Sequence, residues 1–283
     1  MRANLARARA VGVTGIRDTG SPGSITLELV GTADGAGLVA CGRFLAPQDR
    51  YFPALHVPVP AEQLVDAAIA EVRAGARWVK IIADFPVFGR DQPPQPPSPT
   101  YPLHDVRRLV DAVHSAGARV AAHTTTGYAT ELIEAGIDSV EHGIALEETD
   151  LDKLAAAGGG WTPTLCAALM RPDDDPDRRR RQLDLRDRLR HLLPTAAKRG
   201  VTIMTGTDVV GTIPREVALL SELGLPPSTA LAAASTSARK FLGFPDSRDG
   251  EGADLVTYDN DPRDDPEVLA RPTAVFLAGT RLR

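Results

Sequence analysis

The chain has 283 residues, 43% of them hydrophobic, enough for one large core and close to the size of barrels of about 250 residues that fold as one domain. A formal net charge of -5 argues against a nucleic-acid or polyanion partner. Two cysteines, Cys41 and Cys166, make neither a disulfide framework nor a paired zinc spacing, and no apolar run reaches the roughly 18 residues of a membrane span, so a reducing cytoplasm is the expected setting.

The opening "MRANLARARAVGVTGIRDTG" has no apolar signal core. It reads as a helix in progress, with Leu5, Ala8 and Val11 near helical spacing and Gly12 as its stop. "VTGIRD" (13–18) and "LVACGRFL" (38–45) read as strands. In residues 61–76, Leu64, Val65, Ala68, Ile69 and Val72 form one helical stripe, and "RWVKIIAD" (77–84) follows as a strand. The Pro-rich segment 91–102 cannot be helix or central strand and is expected to be an exposed loop. Residues 103–118 return to helix, burying Val106, Leu109, Val110 and Val113.

The alternation then tightens. Strand 119–123 leads to helix 128–136, strand 138–142 to helix 147–157, and strand 160–165 to a long charged helix near 176–199. Its mixed acids and Arg178 to Arg181 describe a solvated face, to which His191 belongs. Strand 201–207 follows, and two helices are expected within 215–243. Strands alternating with helices at this spacing are βα units around a parallel sheet. Seven such strands are one short of a (β/α)8 barrel. Short strands without intervening helix end the chain, giving a barrel over 1–245 and a small β appendage over 246–283.

Side chains at the C-terminal ends of barrel strands form the functional site. Lys80, His123, His142 and Asp208 occupy such ends, or the strand just before them, on four different strands. A single histidine after a strand is most often a hydrogen-bonded core or loop residue, and an Asp before a helix most often an N-cap. His56, His104 and His114 receive no catalytic role on that ground. The lysine is harder to dismiss, because an ammonium within an apolar strand is costly unless paired or chemically altered. Two neutral imidazoles suit a divalent metal such as Zn²⁺, with Mn²⁺ and Fe²⁺ also compatible, but leave the site short of an anionic ligand.

The segments "GVTGIRDTGSP", "WVKIIADF", "VAAHTTTG", "AGIDSVEHGI", "GTDVVG" and "ASTSARKFLGF…GEGADLVTYDNDPR", in this order, resemble the amidohydrolase superfamily, closest to its imidazolonepropionase-like and prolidase-like branch. The resemblance covers nearly the whole chain, and implies a barrel lacking its first strand, with the strands of 246–283 a remnant of a small β-sandwich. It implies a metal-dependent hydrolase of C–N bonds in amides, cyclic amides or dipeptides. Lys80 would be carboxylated, His123 and His142 would complete one metal position, and Asp208 would hold the reacting water as metal ligand and general base.

The family's His-x-His pair on its first barrel strand is absent from this sequence. One metal site is therefore expected, or two if a preceding strand carries that pair, with Met1 then an internal residue or a misplaced start. The rival readings are a catalytically impaired truncated remnant and a Schiff-base lyase using Lys80. Specificity is expected from loops at 19–36, 46–60, 84–102 and 166–176, with Tyr51, His56, Phe85, Tyr128 and Arg215 as pocket candidates. The partner is a small-molecule amide or peptide, with no nucleic acid and no membrane, and an open barrel edge would favour a homo-oligomer.

Overall fold

A computed structural model of the chain describes residues 2–32, 37–87, 95–169, 175–245 and 253–283. Helix α1 (Arg2–Ala10) ends at Gly12, whose φ of +87° is open to glycine. Leu5 is buried, whereas Val11, predicted on the same stripe, is exposed. The chain divides into two compact units, one dominated by residues 16–146 and the other by 3–15 with 147–283. The expected boundary at 245/246 meets residues 246–252, outside those described.

In the first unit, β1 (Ile16–Asp18) pairs in parallel with β2 (Leu38–Ala40). The run predicted as one strand over 38–45 breaks, and β3 (Phe44–Leu45) starts anew. Gly42 explains the break. Its φ is +78°, and a Cβ there would stand 2.1 Å from Glu71 Oε2. That carboxylate also accepts from Arg43 Nε at 2.6 Å and Ser24 Oγ at 2.5 Å. Glu71 consequently joins the buried face of α2 (Leu64–Arg73) with Leu64, Ala67 and Ala68, while Val65, Ile69 and Val72 are only half-buried.

Next come β4 (Trp78–Ile82), buried throughout, and a ribbon of β5 (Asp84–Phe85) with β6 (Ser98–Pro99). The Pro-rich segment thus contributes an antiparallel edge, held by Arg50 Nη2, which donates to the carbonyls of Phe85 (3.0 Å), Ser98 (2.5 Å) and Pro99 (3.1 Å). Residues 88–94 lie outside the described residues. Helix α3 (Leu103–Ser115) buries Val106, Leu109, Val110 and Val113, as its 3.6-residue period dictates. It leads to β7 (Arg119–Thr124), α4 (Ala129–Glu134) and β8 (Ser139–His142). These strands form a parallel sheet in the order β8-β7-β4-β3.

The second unit contains α5 (Glu148–Ala156), β9 (Gly160–Thr162), α6 (Leu165–Ala168), α7 (Pro176–Arg199) and β10 (Thr202–Ile203), with β9 and β10 parallel. Helix α7 matches its predicted span. Leu189, Leu192, Leu193 and Ala196 are buried, while His191 and Arg199 pair with Glu148 on the exposed side. Three helices follow where two were expected: α8 (Ile213–Glu222), α9 (Pro227–Ala233) and α10 (Thr236–Leu242). Pro226 and Pro227 start α9, and Ser235, outside helical dihedrals, separates it from α10. The tail folds as an antiparallel sheet of β11 (Leu255–Thr257), β12 (Ala274–Leu277) and β13 (Thr280–Arg281). Ala278 and Gly279, both with positive φ, make its two-residue hairpin turn. Among the described residues no helix is long and apolar enough to cross a membrane.

Candidate metal centre

Register fixes which side chains share the inner face of the first unit's sheet. Lys80 is level with Ala121 and Ala121 with Ser139; Ile82 is level with His123 and His123 with Glu141. Side chains alternate along a strand, so Lys80, His123, Ser139 and Glu141 point to one face. Ala121 and Ser139, level with Lys80, are small, and Lys80 bears electrostatically on His123.

His142 breaks the alternation. It is level with Thr124, one position beyond the His123–Glu141 pair, and strand parity would send it to the opposite face. Its backbone is left-handed, with φ +69°, and its ring meets that of His123 at 4.4 Å between centroids, nearly edge-on. The two histidines are therefore not at equivalent strand positions, as their spacing from the apolar runs suggested. A backbone rotation brings them together.

The electrostatics follow from this crowding. Burial, reinforced by His142 and Lys80, holds the His123 imidazole well below its ordinary pKa, so it is neutral with a lone pair to give. Lys80 is buried, beside a second charged group. Glu141 Oε1 accepts from Arg17 Nη2 at 2.6 Å and from Ser139 Oγ at 2.6 Å. Burial alone would raise the Glu141 carboxyl; Arg17, then Lys80, Ser139 and His142, outweigh it and hold the group at about 2. Arg17 and Arg119 both lie over the Trp78 ring, 4.8 and 4.5 Å from its centroid. Cys41 is fully buried nearby, and burial pushes its thiol up to about 12, which removes it as a nucleophile.

Asp84 ties the end of β4 to the segment after His123. Its buried carboxylate accepts from three successive threonine hydroxyls, those of Thr124 (2.5 Å), Thr125 (3.0 Å) and Thr126 (2.9 Å). The backbone N–H groups of Thr125 and Thr126 donate to it as well, at 2.9 and 3.3 Å. Asp84, Arg17 and Glu141 were not among the residues singled out from the sequence. The available signal was the one used for Lys80: a charged residue inside an apolar strand, as in "IIADF" and "SVEH".

Asp208 belongs to the second unit. It is exposed, on a turn five residues beyond β10, with φ +44°, and Val209 after it has φ +57°. In the same unit Glu216, fully buried, accepts from the N–H groups of Leu165 (3.1 Å) and Cys166 (2.6 Å) at the start of α6. Burial raises the Glu216 carboxyl, with Asp208 adding to the rise. Of the pocket candidates, Tyr51, His56 and Phe85 form an aromatic cluster around His123. Tyr128 Oη donates to the Tyr101 carbonyl at 3.3 Å, and Arg215 pairs with Glu222 at the surface.

Among the described residues no three His, Cys, Asp or Glu side chains gather in a group that could hold a metal ion. Two imidazoles, that of His123 neutral, with Lys80 beside them fit one only if the lysine supplies an anionic oxygen, and a lysine can do so as a carbamate.

The chain belongs to the amidohydrolase family, whose model matches residues 2–282. It is 34% identical over 284 residues to uncharacterized proteins of Mycobacterium tuberculosis and Mycobacterium bovis, covering 96% of this chain and 75% of theirs. Among solved structures it is similar to a prolidase complexed with N-methylphosphonate-L-proline (25% identity, TM-score 0.80, 99% of this chain and 78% of that one). It also matches a Xaa-Pro dipeptidase with methionine bound in its active site (23%, 0.79, 99% and 78%) and the ochratoxinase of A. niger (21%, 0.83, 100% and 75%). The fold is accordingly the α/β fold of this family, of TIM-barrel type with a parallel central sheet, although no closed barrel forms among the described residues. Hydrolase is the class this membership defines. Family members generally use a divalent metal, and its structural neighbours act on small molecules.

Proposed function

We propose that the chain is a metal-dependent hydrolase of C–N bonds in amides, cyclic amides or dipeptides. The barrel is assigned to residues 1–245 and the β appendage to 246–283. One observation carries the reading: the left-handed turn at His142 sets its ring against a neutral, half-buried His123, beside Lys80. His123, His142 and a carboxylated Lys80 would hold one divalent metal, with Zn²⁺ the best match to the imidazole donors. When bound, that metal supplies acidified water and a polarised scissile carbonyl.

The remaining work falls to this chain's own groups. The amine of Lys80 adds to CO2 and releases a proton, leaving an N-carboxylate. Asp208 takes the proton from water as its oxygen attacks the carbonyl carbon. It then passes that proton to the nitrogen as the C–N bond breaks, giving a carboxylic acid and an amine. Glu141 is held by Arg17 and Ser139, away from the task of proton transfer.

Lys80→Ala tests the reading directly. It should lose bound metal on dialysis, with partial recovery when a short carboxylic acid is added. Lys80→Arg should also fail, since a guanidinium cannot be carboxylated. Normal metal content in either variant without added acid ends the carbamate assignment. Asp208→Asn should keep its metal largely in place and lower turnover steeply, because an amide cannot accept the proton. Undiminished hydrolysis would remove Asp208 from the mechanism.

A further inference from the structure

Asp208 moves the proton in the proposed reaction, and its turn is left-handed twice in succession, with φ +44° at Asp208 and +57° at Val209. Val209 is 99% exposed and Val210 58%, so the apolar core does not hold the tip in place. The close contacts lie at the two ends of the turn. A Cβ at Gly206 would stand 2.5 Å from Thr162 Cγ2, and one at Gly211 would stand 2.5 Å from Cys166 Cβ and 2.7 Å from its Sγ. Without side chains, these two residues lie directly against the end of β9 and the start of α6.

Polar groups tie the second of these contacts. Thr164 stands at the cap of α6, left-handed at φ +46°, and makes no side-chain cap bond; its Oγ1 donates to the Pro163 carbonyl. The cap comes instead from Glu216, 51 positions further on, which accepts from the N–H groups of Leu165 and Cys166. The Cys166 thiol, pushed up to about 11 by burial and by its bond to Glu216, stays protonated and donates to the same carboxylate. Its sulfur accepts from the Thr212 N–H. Thr212 follows the turn and caps α8, and its carbonyl accepts from the Glu216 N–H at 2.9 Å. The bonds thus close a circuit through Thr212, Cys166 and Glu216. Asp208 acts electrostatically on Glu216, so the two carboxylates are within reach of each other.

We propose that Glu216 and Cys166 are positioning residues that hold the 207–212 turn and thereby set where Asp208 stands to take its proton. The catalytic consequence rests on the hydrolase reading; the tie itself does not.

Hydrogen exchange on the full chain tests the tie without any reaction. The Val210 and Gly211 N–H groups, bonded to the Thr207 carbonyl at 3.2 and 2.9 Å, report on the turn. Glu216→Gln turns an NH2 group towards donors that need an acceptor. Amides of 207–212 should then exchange at least about tenfold faster, with those of 189–196 in α7 unchanged. Gly211→Ala keeps every donor and acceptor but forces the turn away from Cys166, so it reads the tie even where Glu216→Gln fails to fold. Unchanged protection at 207–212, or a matching loss in α7, overturns the proposal.

Kinetics on the Zn²⁺-loaded chain read the consequence, using the best-cleaved member of a panel of N-acyl amino acids and dipeptides. Glu216→Gln should lower kcat by roughly 10–100-fold and move KM by less than about threefold. Added to Asp208→Asn, it should lower kcat by less than about twofold more, because nothing remains to be positioned. A full further loss in that background overturns the positioning role. If the wild-type chain cleaves no panel member while the turn loosens in the variants, the tie stands and the hydrolase reading falls.

Discussion

Arg17 and Glu141 form an ion pair, Nη2 to Oε1 at 2.6 Å, with side chains only 5% and 4% exposed. A buried pair of this kind adds little net stability, yet removing one partner strands the other charge without water. Arg17→Met should therefore cost about 3–5 kcal/mol in urea unfolding. Arg17→Met combined with Glu141→Leu should recover most of it. A double variant as unstable as the single one would show that neither charge depends on the other.

Glu141 and His123 set a pH dependence whose sign follows from their two depressed values. Glu141 is held at about 2 against 4.5 when unfolded, and His123 lies well below its usual imidazole value. In each case the unfolded chain binds more protons, so the stability they give is full above about pH 6.5 and is lost as pH falls. His123 contributes the loss that begins below about 6.5, and Glu141 the loss from about 4.5 towards about 2. Urea midpoints at pH 7.5, 5.5 and 4 should decline in that order. In Arg17→Met/Glu141→Leu the fall from 5.5 to 4 should be shallower than in wild type.

Asp84→Asn replaces two acceptor oxygens by one acceptor and one donor, and turns that donor towards hydroxyl and N–H groups that need an acceptor. The change should destabilise the chain by about 1–3 kcal/mol. Because Asp84 fixes the segment that follows His123, metal affinity should also fall by roughly 10–100-fold. The visible spectrum of the Co²⁺-loaded protein should shift as well. Lower stability with unchanged metal affinity and spectrum would confine Asp84 to a structural role.

Val209 combines a β-branched side chain, φ +57° and 99% exposure. Nothing in its packing repays that backbone. Val209→Gly should raise stability by about 1 kcal/mol, visible as a higher Tm. A lower Tm would mean that the valine makes a stabilising contact.

The periodic part of the fold was legible in the sequence. The buried stripe of α3, the span of α7 and the strands carrying Lys80, His123 and His142 all followed from apolar spacing. Departures arose where one side chain overrode the local pattern. Gly42 and Glu71 broke a strand, Arg50 drew Ser98–Pro99 into a ribbon, and Ser235 divided a helix. The candidate site was legible by residue type at Lys80, His123 and His142. Its supports were not, because Asp84 meets Thr124 to Thr126 40 to 42 positions away and Arg17 meets Glu141 124 positions away, and such pairings have no local signature.

The rotation at His142 means that the second imidazole is addressed by main-chain handedness, and strand parity addresses only the first. Anyone transplanting this histidine pair to another parallel sheet would have to copy a dihedral along with the residues. Grafted onto two regular adjacent strands at the same register, one ring would face the helices and the other the interior, and the two would never share a ligand. A library varying only side chains would miss the solution. One that first varied the final backbone step of the second strand could find it.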